Sequence, residues 1–325
     1  MIKAGIIGAA GYTGGELLRL LAYHPNVELA FAQSESCAGK KISEIHRDLF
    51  GLMDLCFTSS PEADCEILFL CKGHHESRAF LNANKIDDTT KVIDLSQDFR
   101  HQENSQLNGR TFIYGLPEAN RDLITTAYSI ANPGCFATAI QLSLLPLAAN
   151  KCLPNNVHIN ATTGSTGAGQ SFSESSHFSR RSNNHSVYKA LTHQHLKEIN
   201  ETLKQIDPEL ESQLHFIPQR GAFTRGIHAI SQIQCDLSIQ HISDLYSEYY
   251  SHHPFVHLVP FETDVKQVVN SNNCFIHLEK HEDQLVITTV IDNLLKGASG
   301  QALQNMNLLF GLPETTGLKL KSTAF

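Results

Sequence analysis

The sequence predicts an α/β protein: an N-terminal Rossmann-type parallel sheet, then a C-terminal α+β domain with a mainly antiparallel sheet. Three observations carry that prediction. A glycine-rich turn separates the first apolar run from the first helical pattern. Short apolar runs then alternate with helix-like stretches as far as residue 132, the pattern of a parallel sheet covered on both faces. Past residue 135 the strand-like runs lengthen and alternate apolar with polar residues.

Residues 3–7 (KAGII) form the first strand, 8–15 (GAAGYTGG) the turn, and 16–24 the first helix. Strands are expected at 27–33, 67–71, 91–96 and 129–132. Residues 136–150 are helix-like, with Pro146 expected to kink or end the helix early. Longer strands follow at 157–164, 227–238, 273–280 and 284–291, the last two reading as a hairpin around His281-Glu282-Asp283. A polar segment, 171–186, reads as a surface or active-site loop, and a final helix spans 293–311. With 325 residues, one ordinary core is too small, so two domains are expected. The boundaries are 1–134, completed by the C-terminal helix and tail from about 293 to 325, and 135–292.

Composition excludes several classes. At 41% hydrophobic and 18% charged the chain is neither disordered nor fibrous. A net charge of −8 disfavours nucleic acid and anionic membranes as partners, while a local basic pocket for a small anion remains compatible. No apolar run approaches the ~20 residues a membrane span needs. The start, MIKAGIIG, enters a strand at once without a leader, so a cytoplasmic protein is expected, with its eight cysteines reduced. None of them forms a C-x-x-C pair, and no metal site is expected.

The turn holds Gly8, Gly11, Tyr12, Thr13, Gly14 and Gly15. Backbone N–H groups at such a helix start cradle a pyrophosphate. The spacing is G-x-x-G-x-x-G, and a plain tight turn using glycine is the alternative. Placement in the first βα unit favours a nucleotide. Beyond the second strand stand Ser34, Glu35 and then Lys40-Lys41. A hydroxyl and two cations lean to NADP(H), whereas Glu35 suits the ribose of NAD.

The stretch SIANPGCFAT (129–138) sets Cys135 at the start of an apolar helix. It is either a small hydrophobe at a core edge or a thiolate nucleophile stabilised by the helix N-terminus. The stretch LTHQHLKEI (191–199) offers His193 and His195 as a base or cation. The pair lacks a third metal ligand at recognisable spacing, and with 18 histidines in the chain two surface residues are the alternative. A nucleotide domain, a cysteine at the domain junction and a histidine beyond it follow the logic of an aldehyde dehydrogenase that works through a thioester.

Eight motifs then occur in order: GAAGYTGGE (8–16), DLSQDFR (94–100), YGLPE (114–118), NPGCFAT (132–138), TTGSTGAGQ (162–170), YKALTHQHLKEI (188–199), FTRGI (223–227) and DNLLKGASGQALQN (292–305). In this the chain resembles the N-acetyl-gamma-glutamyl-phosphate reductase family of the semialdehyde dehydrogenase superfamily. The resemblance covers nearly the whole chain. It implies NADPH-dependent reduction of an N-acetylglutamyl phosphate to the semialdehyde plus inorganic phosphate in arginine biosynthesis, with Cys135 as nucleophile and His195 as acid/base, His193 being the rival. It implies a homodimer or homotetramer. Two departures stand out: His193-Gln194-His195 where the family usually has His-Arg-His, and Phe216-Ile217-Pro218-Gln219-Arg220 where it has F-x-P-H-L.

The substrate's anionic groups need cations or aligned N–H groups. Arg100, Asn132 and Arg225 fall inside matched motifs and are expected there, with Arg180, Arg181 and Lys189 as further candidates, a solvated surface charge being the alternative for each cation. The loop 164–169, with Ser165 and Gly167, is expected to offer N–H groups to a phosphate or the cofactor, against the alternative of a plain hairpin loop. Asn293 is expected at the nicotinamide amide, or else as an N-cap. Aspartate-semialdehyde dehydrogenase, an enzyme for another N-acyl (such as N-succinyl) or carrier-linked glutamyl or aminoadipyl phosphate, and a catalytically idle NADP-binding sensor are the rival readings.

Overall fold

A computed structural model of the chain describes residues 1–61, 64–172 and 174–323. Ser173, within the polar segment 171–186, and residues 324–325 of the expected C-terminal completion lie outside the described residues. Two compact units are present: 1–133 with 298–319, and 134–297 with 320–325.

The first unit is built on seven strands: β1 (Ile2–Ile7), β2 (Val27–Gln33), β3 (Ile67–Leu70), β4 (Lys91–Asp94), β5 (Gln106–Leu107), β6 (Arg110–Tyr114) and β7 (Ser129–Ala131). Their order is β2-β1-β3-β4-β7-β6-β5, parallel throughout except for the β5–β6 hairpin. The central strands are apolar because both faces are covered: Ile6, Ile7, Leu68, Leu70, Val92 and Ile130 are buried. The helices are α1 (Tyr12–Leu21), α2 (Ile42–Ile45), α3 (Glu76–Ala83) and α4 (Pro117–Thr126), joined by the chain's final helix, Gly300–Leu309. Helix α1 begins four residues before the expected 16, because Gly14 and Gly15 lie inside it. The hairpin was not expected from the sequence. It turns on Asn108 and Gly109, at φ 50° and 80°, a left-handed pair that suits a tight two-residue turn.

The second unit carries β8 (Asn156–Thr163), β9 (Ser186–Val187), β10 (Gln213–Arg220), β11 (Ile227–Gln234), β12 (Val256–Leu258), β13 (Cys274–His281) and β14 (Gln284–Ile291). The order is β12-β13-β14-β11-β8-β10-β9. Four of its neighbouring pairs are antiparallel, while β8–β10 and β12–β13 are parallel. Strand β10 escapes the sequence reading because it mixes polar residues with Pro218. Helices α5 (Cys135–Ala149), α6 (Phe178–Arg181), α7 (His195–Ile206) and α8 (Ile239–Tyr250) complete the unit.

Two expectations are corrected here. Pro146 does not end α5, which runs on to Ala149. Proline lacks the N–H that would bond to the carbonyl four residues back. That orphaned carbonyl, Leu142, instead accepts the Tyr250 hydroxyl at 2.6 Å. The final helix does not begin at 293 either. A π-type turn at Leu295–Ser299 precedes it, closed by the Gly297 N–H donating to the Asp292 carbonyl at 2.9 Å. Among the described residues no helix is long and apolar enough to cross a membrane.

Candidate active site

In the first unit the glycine turn is shaped by close backbone approach. Gly8 has φ 78°, and a Cβ there would lie 2.7 Å from the Cys71 carbonyl oxygen. A Cβ on Gly14 would fall 2.6 Å from the Ala9 backbone. Gly11 is open: a Cβ there would meet only the Gly8 carbonyl, at 3.7 Å. Gly11 caps α1 without a side-chain hydrogen bond, so the first-turn N–H groups of Tyr12, Thr13 and Gly14 lack intrahelical acceptors. An open cradle of this kind fits a pyrophosphate. Ser34 follows β2 directly and is buried, its hydroxyl 3.5 Å from that of Ser36. Glu35 turns to Lys72 at 3.6 Å, and Lys41 lies 3.7 Å from Asp54.

The segment leading to the cysteine is held from below. Arg100, 9% exposed, donates its Nε to the Asn132 carbonyl at 2.8 Å and another nitrogen to the Leu95 carbonyl at 3.0 Å. The Asn132 amide donates to the Ala298 carbonyl at 3.0 Å and accepts from Asn305 at 3.2 Å. Both residues were expected at the substrate. The structure engages them in fixing the backbone just before Gly134. Beside them Asp94 is fully buried, which pushes its carboxyl up to about 6 against the hydroxyls of Ser77 and Ser96.

In the second unit Cys135 opens α5, with Gly134 as its N-cap. The residue that organises this end is Glu198, which the sequence reading passed over. One carboxylate oxygen accepts the Gly134 N–H at 3.1 Å, and the other lies 3.6 Å from His195 Nε2. Glu198 is buried, and it faces His195 because the two are one turn apart on α7. His193 accepts the His195 backbone N–H on Nδ1 at 3.2 Å. Its ring meets Phe136, Tyr188 and Phe216 edge-on, and burial, then the charge of Lys189, pushes its pKa down to about 4. His193 is therefore neutral, as its acceptor role requires. Tyr188 is pushed up to about 12 by burial and then by the charge of Cys135, against the opposing pull of Arg220.

The loop 164–169 differs from expectation. Ser165 and Thr166 donate their N–H groups to the carbonyls of Phe223 and Thr224, and Gly167 donates to Gly164. Those donors are taken by the neighbouring backbone and do not form an open phosphate cradle. Asn293 is likewise occupied: it accepts the Gly226 N–H at 2.7 Å and donates to the Thr166 hydroxyl at 3.0 Å. The helix-capping role falls to Asp292, which accepts from Leu294 and Leu295 at 2.8 and 3.0 Å. Arg225 donates its Nε to the same buried carboxylate at 2.7 Å. Among the described residues no cluster of three His, Cys, Asp or Glu side chains could hold a metal ion.

Residues 3–127 match the family described as semialdehyde dehydrogenase, NAD binding domain, and residues 135–293 match semialdehyde dehydrogenase, dimerisation domain. The N-acetyl-gamma-glutamyl-phosphate reductase of Flavobacterium johnsoniae is 53% identical over 325 residues, covering 100% of both chains. The chain belongs to the semialdehyde dehydrogenase family, in the branch of the N-acetyl-gamma-glutamyl-phosphate reductases. The namesake reductase of Bacteroides fragilis is 52% identical, again over 100% of each chain. Aspartate semialdehyde dehydrogenase II of Vibrio cholerae shares the semialdehyde dehydrogenase fold. It has a TM-score of 0.75 over 96% of this chain and 98% of its own, at 17% identity. The two family matches meet the chain on either side of the NPGC segment, where the structure changes from one compact unit to the other.

Proposed function

We propose that the chain reduces N-acetyl-gamma-glutamyl phosphate to N-acetylglutamate 5-semialdehyde and phosphate with NADPH, a step of arginine biosynthesis, through a thioester on Cys135. The observation that carries this reading is the double use of Glu198, which ties the N-cap of the cysteine's helix to His195. The names of relatives above 50% identity supply the substrate.

Cys135 is the nucleophile. Its thiolate attacks the acyl carbon, forming a C–S bond as the C–O bond to phosphate breaks. The N–H groups of the first turn of α5, which have no acceptor within the helix, favour the thiolate and the oxyanion that follows. A nicotinamide held at the glycine turn would supply a hydride, the two electrons that reduce the thioester. His195, held against Glu198, carries the proton of the reaction. The carbonyl re-forms, the C–S bond breaks and the thiolate returns, so the one proton consumed ends on phosphate. His193, neutral and accepting the His195 N–H, positions its neighbour. Arg225 is a substrate-side cation whose orientation is set by Asp292.

The N–H groups of Tyr12, Thr13 and Gly14 would hold the pyrophosphate, with Gly8 and Gly11, whose own N–H groups bond to Gln33 and to Gly8, shaping the turn beneath it. Ser34 would meet a ribose 2′-phosphate. The choice of NADP is supported by the diversion of Glu35 to Lys72, which leaves a hydroxyl in the usual place of an acid. The match to a dimerisation domain supports a homodimer or homotetramer, and the cofactor and the free cysteines suit the cytoplasm.

The test is NADP⁺ reduction with N-acetylglutamate semialdehyde, with and without inorganic phosphate. Phosphate-dependent NADPH formation is expected, and its absence would remove the reading. His195→Asn should lower the rate by ~10²–10⁴-fold, and His193→Asn by less. Equal small losses would sink the assignment of the base.

A further inference from the structure

In the first unit two charges meet across the glycine turn. The sheet order β2-β1-β3 sets the ends of β2 and β3 on either side of β1, which runs directly into that turn. The register fixes their level: Ile7 stands opposite Gln33 of β2 and Leu70 of β3. Gly8 then donates its N–H to the Gln33 carbonyl at 3.0 Å, and a Cβ on it would fall 3.3 Å from the Lys72 backbone nitrogen. Glu35, two residues past β2, and Lys72, two residues past β3, are thus brought together, carboxylate to ammonium at 3.6 Å. At that distance the contact is an ion pair without a hydrogen bond. The partners also differ in exposure: the Lys72 side chain is 18% exposed and the Glu35 side chain 78%.

A lysine whose stem is packed holds its ammonium in place, whereas an exposed carboxylate turns to water at small loss. Lys72 is therefore the fixed member of the pair and Glu35 the movable one. The fold reads the ribose 2′ position of a dinucleotide just past β2. Ser34 is there, buried, its hydroxyl at the outer limit of a hydrogen bond to Ser36. Lys40 and Lys41, the cations expected from the sequence, are exposed, and Lys41 faces Asp54. We propose that Lys72 sets a preference for NADP over NAD: it exchanges the Glu35 carboxylate for the ribose 2′-phosphate, with the Ser34 hydroxyl as second donor. A phosphate dianion accepts charge-assisted hydrogen bonds from the ammonium, which the carboxylate at 3.6 Å does not. NAD brings a hydroxyl to the same place, and with it the ion pair stays closed. This rests on the cofactor choice proposed above.

The experiment is calorimetric titration of the wild type, Lys72→Met, Lys72→Arg and Glu35→Gln with NADP⁺ and NAD⁺, which differ in the 2′-phosphate alone and need no turnover. The wild type should bind NADP⁺ more tightly. Lys72→Met should lower the ratio of the two affinities by about 10- to 100-fold, the range for one charge-assisted hydrogen bond, and almost wholly through NADP⁺. Lys72→Arg keeps the charge and should keep the preference. Glu35→Gln should strengthen NADP⁺ binding by about 2- to 5-fold, the worth of an exposed ion pair, and it decides the matter if Lys72→Met does not fold by circular dichroism. An equal loss for both coenzymes in Lys72→Met would put the cation on the pyrophosphate and overturn the proposal. So would an unchanged ratio. A wild type that prefers NAD⁺ would remove the cofactor choice and this proposal together. If NADP⁺ binds tightly and no semialdehyde turns over, the proposed reaction fails alone, and the ratio in Lys72→Met still decides the role of Lys72.

Discussion

Gly297 lies against Cys135 so closely that a methyl group on it would fall 2.9 Å from the cysteine Cβ and 3.3 Å from its Cα. No side chain fits there without moving the cysteine or the π-type turn. Gly297→Ala should therefore fold but lower kcat/KM by at least ~10-fold, because small displacements of a nucleophile are amplified in rate. The rate of Cys135 alkylation by iodoacetamide should change with it. Wild-type values for both would show that the turn yields at no loss.

Glu198→Gln keeps an oxygen for the Gly134 N–H and removes the negative charge 3.6 Å from His195. kcat should fall by ~10-fold or more with folding intact, because His195 loses the carboxylate that it is held against. An unchanged kcat in a protein that merely loses stability would leave Glu198 a structural role alone.

His193 titrates near 4 in the folded chain against 6.5 when unperturbed, through burial and then Lys189. The unfolded chain thus binds more protons between those values, so this residue's contribution to stability is full above pH 6.5 and fades toward pH 4. Asp94, raised to about 6, acts with the opposite sign over much of the same window. In the difference between wild type and His193→Gln the Asp94 effect cancels. Denaturant titrations should show that difference shrinking by up to about 1.4 kcal/mol per pH unit as pH falls through the window. A difference independent of pH would mean that His193 is not buried as a neutral base.

Tyr250→Phe removes the donor that replaces the missing N–H of Pro146. It should cost about 1–3 kcal/mol in urea unfolding, the penalty for an orphaned buried carbonyl. Tyr246→Phe, which frees the Ser143 carbonyl, should cost less, since the N–H of Leu147 still reaches it by helix geometry. Equal losses would mean that packing alone sets both.

The central strands β1, β3, β4 and β7 are legible because burial on both faces writes a continuous apolar run. The β5–β6 hairpin had a local signal, Asn108-Gly109, that went unused. Strand β10 had none, since Pro218 and four polar residues hide a segment whose partners are supplied by β8 and β9. Cys135 and the histidine pair stand out in the sequence as candidates because a nucleophile and a base draw on few residue types. The partners were not. Arg100, Asn132 and Asn293 sit in the right motifs, but motif membership does not tell whether a polar group faces a ligand or a backbone carbonyl. The one-turn spacing of Glu198 and His195 was readable, but the bond from the Gly134 N–H to Glu198 arises from tertiary placement, which no spacing records.

The first unit is interrupted, its last piece being residues 298–319. In that piece Gln301 and Asn305 both donate to the Gly115 carbonyl at 2.9 Å, and Asn307 receives His24 at 3.1 Å. During synthesis the Gly115 carbonyl and the His24 ring wait, unanswered, until almost the whole polypeptide has left the ribosome. The unit that begins first is thus completed only near the end of synthesis. A chain stopped at Gly297 would contain Cys135, Glu198 and both histidines, yet be a poor client for folding and a good one for proteolysis.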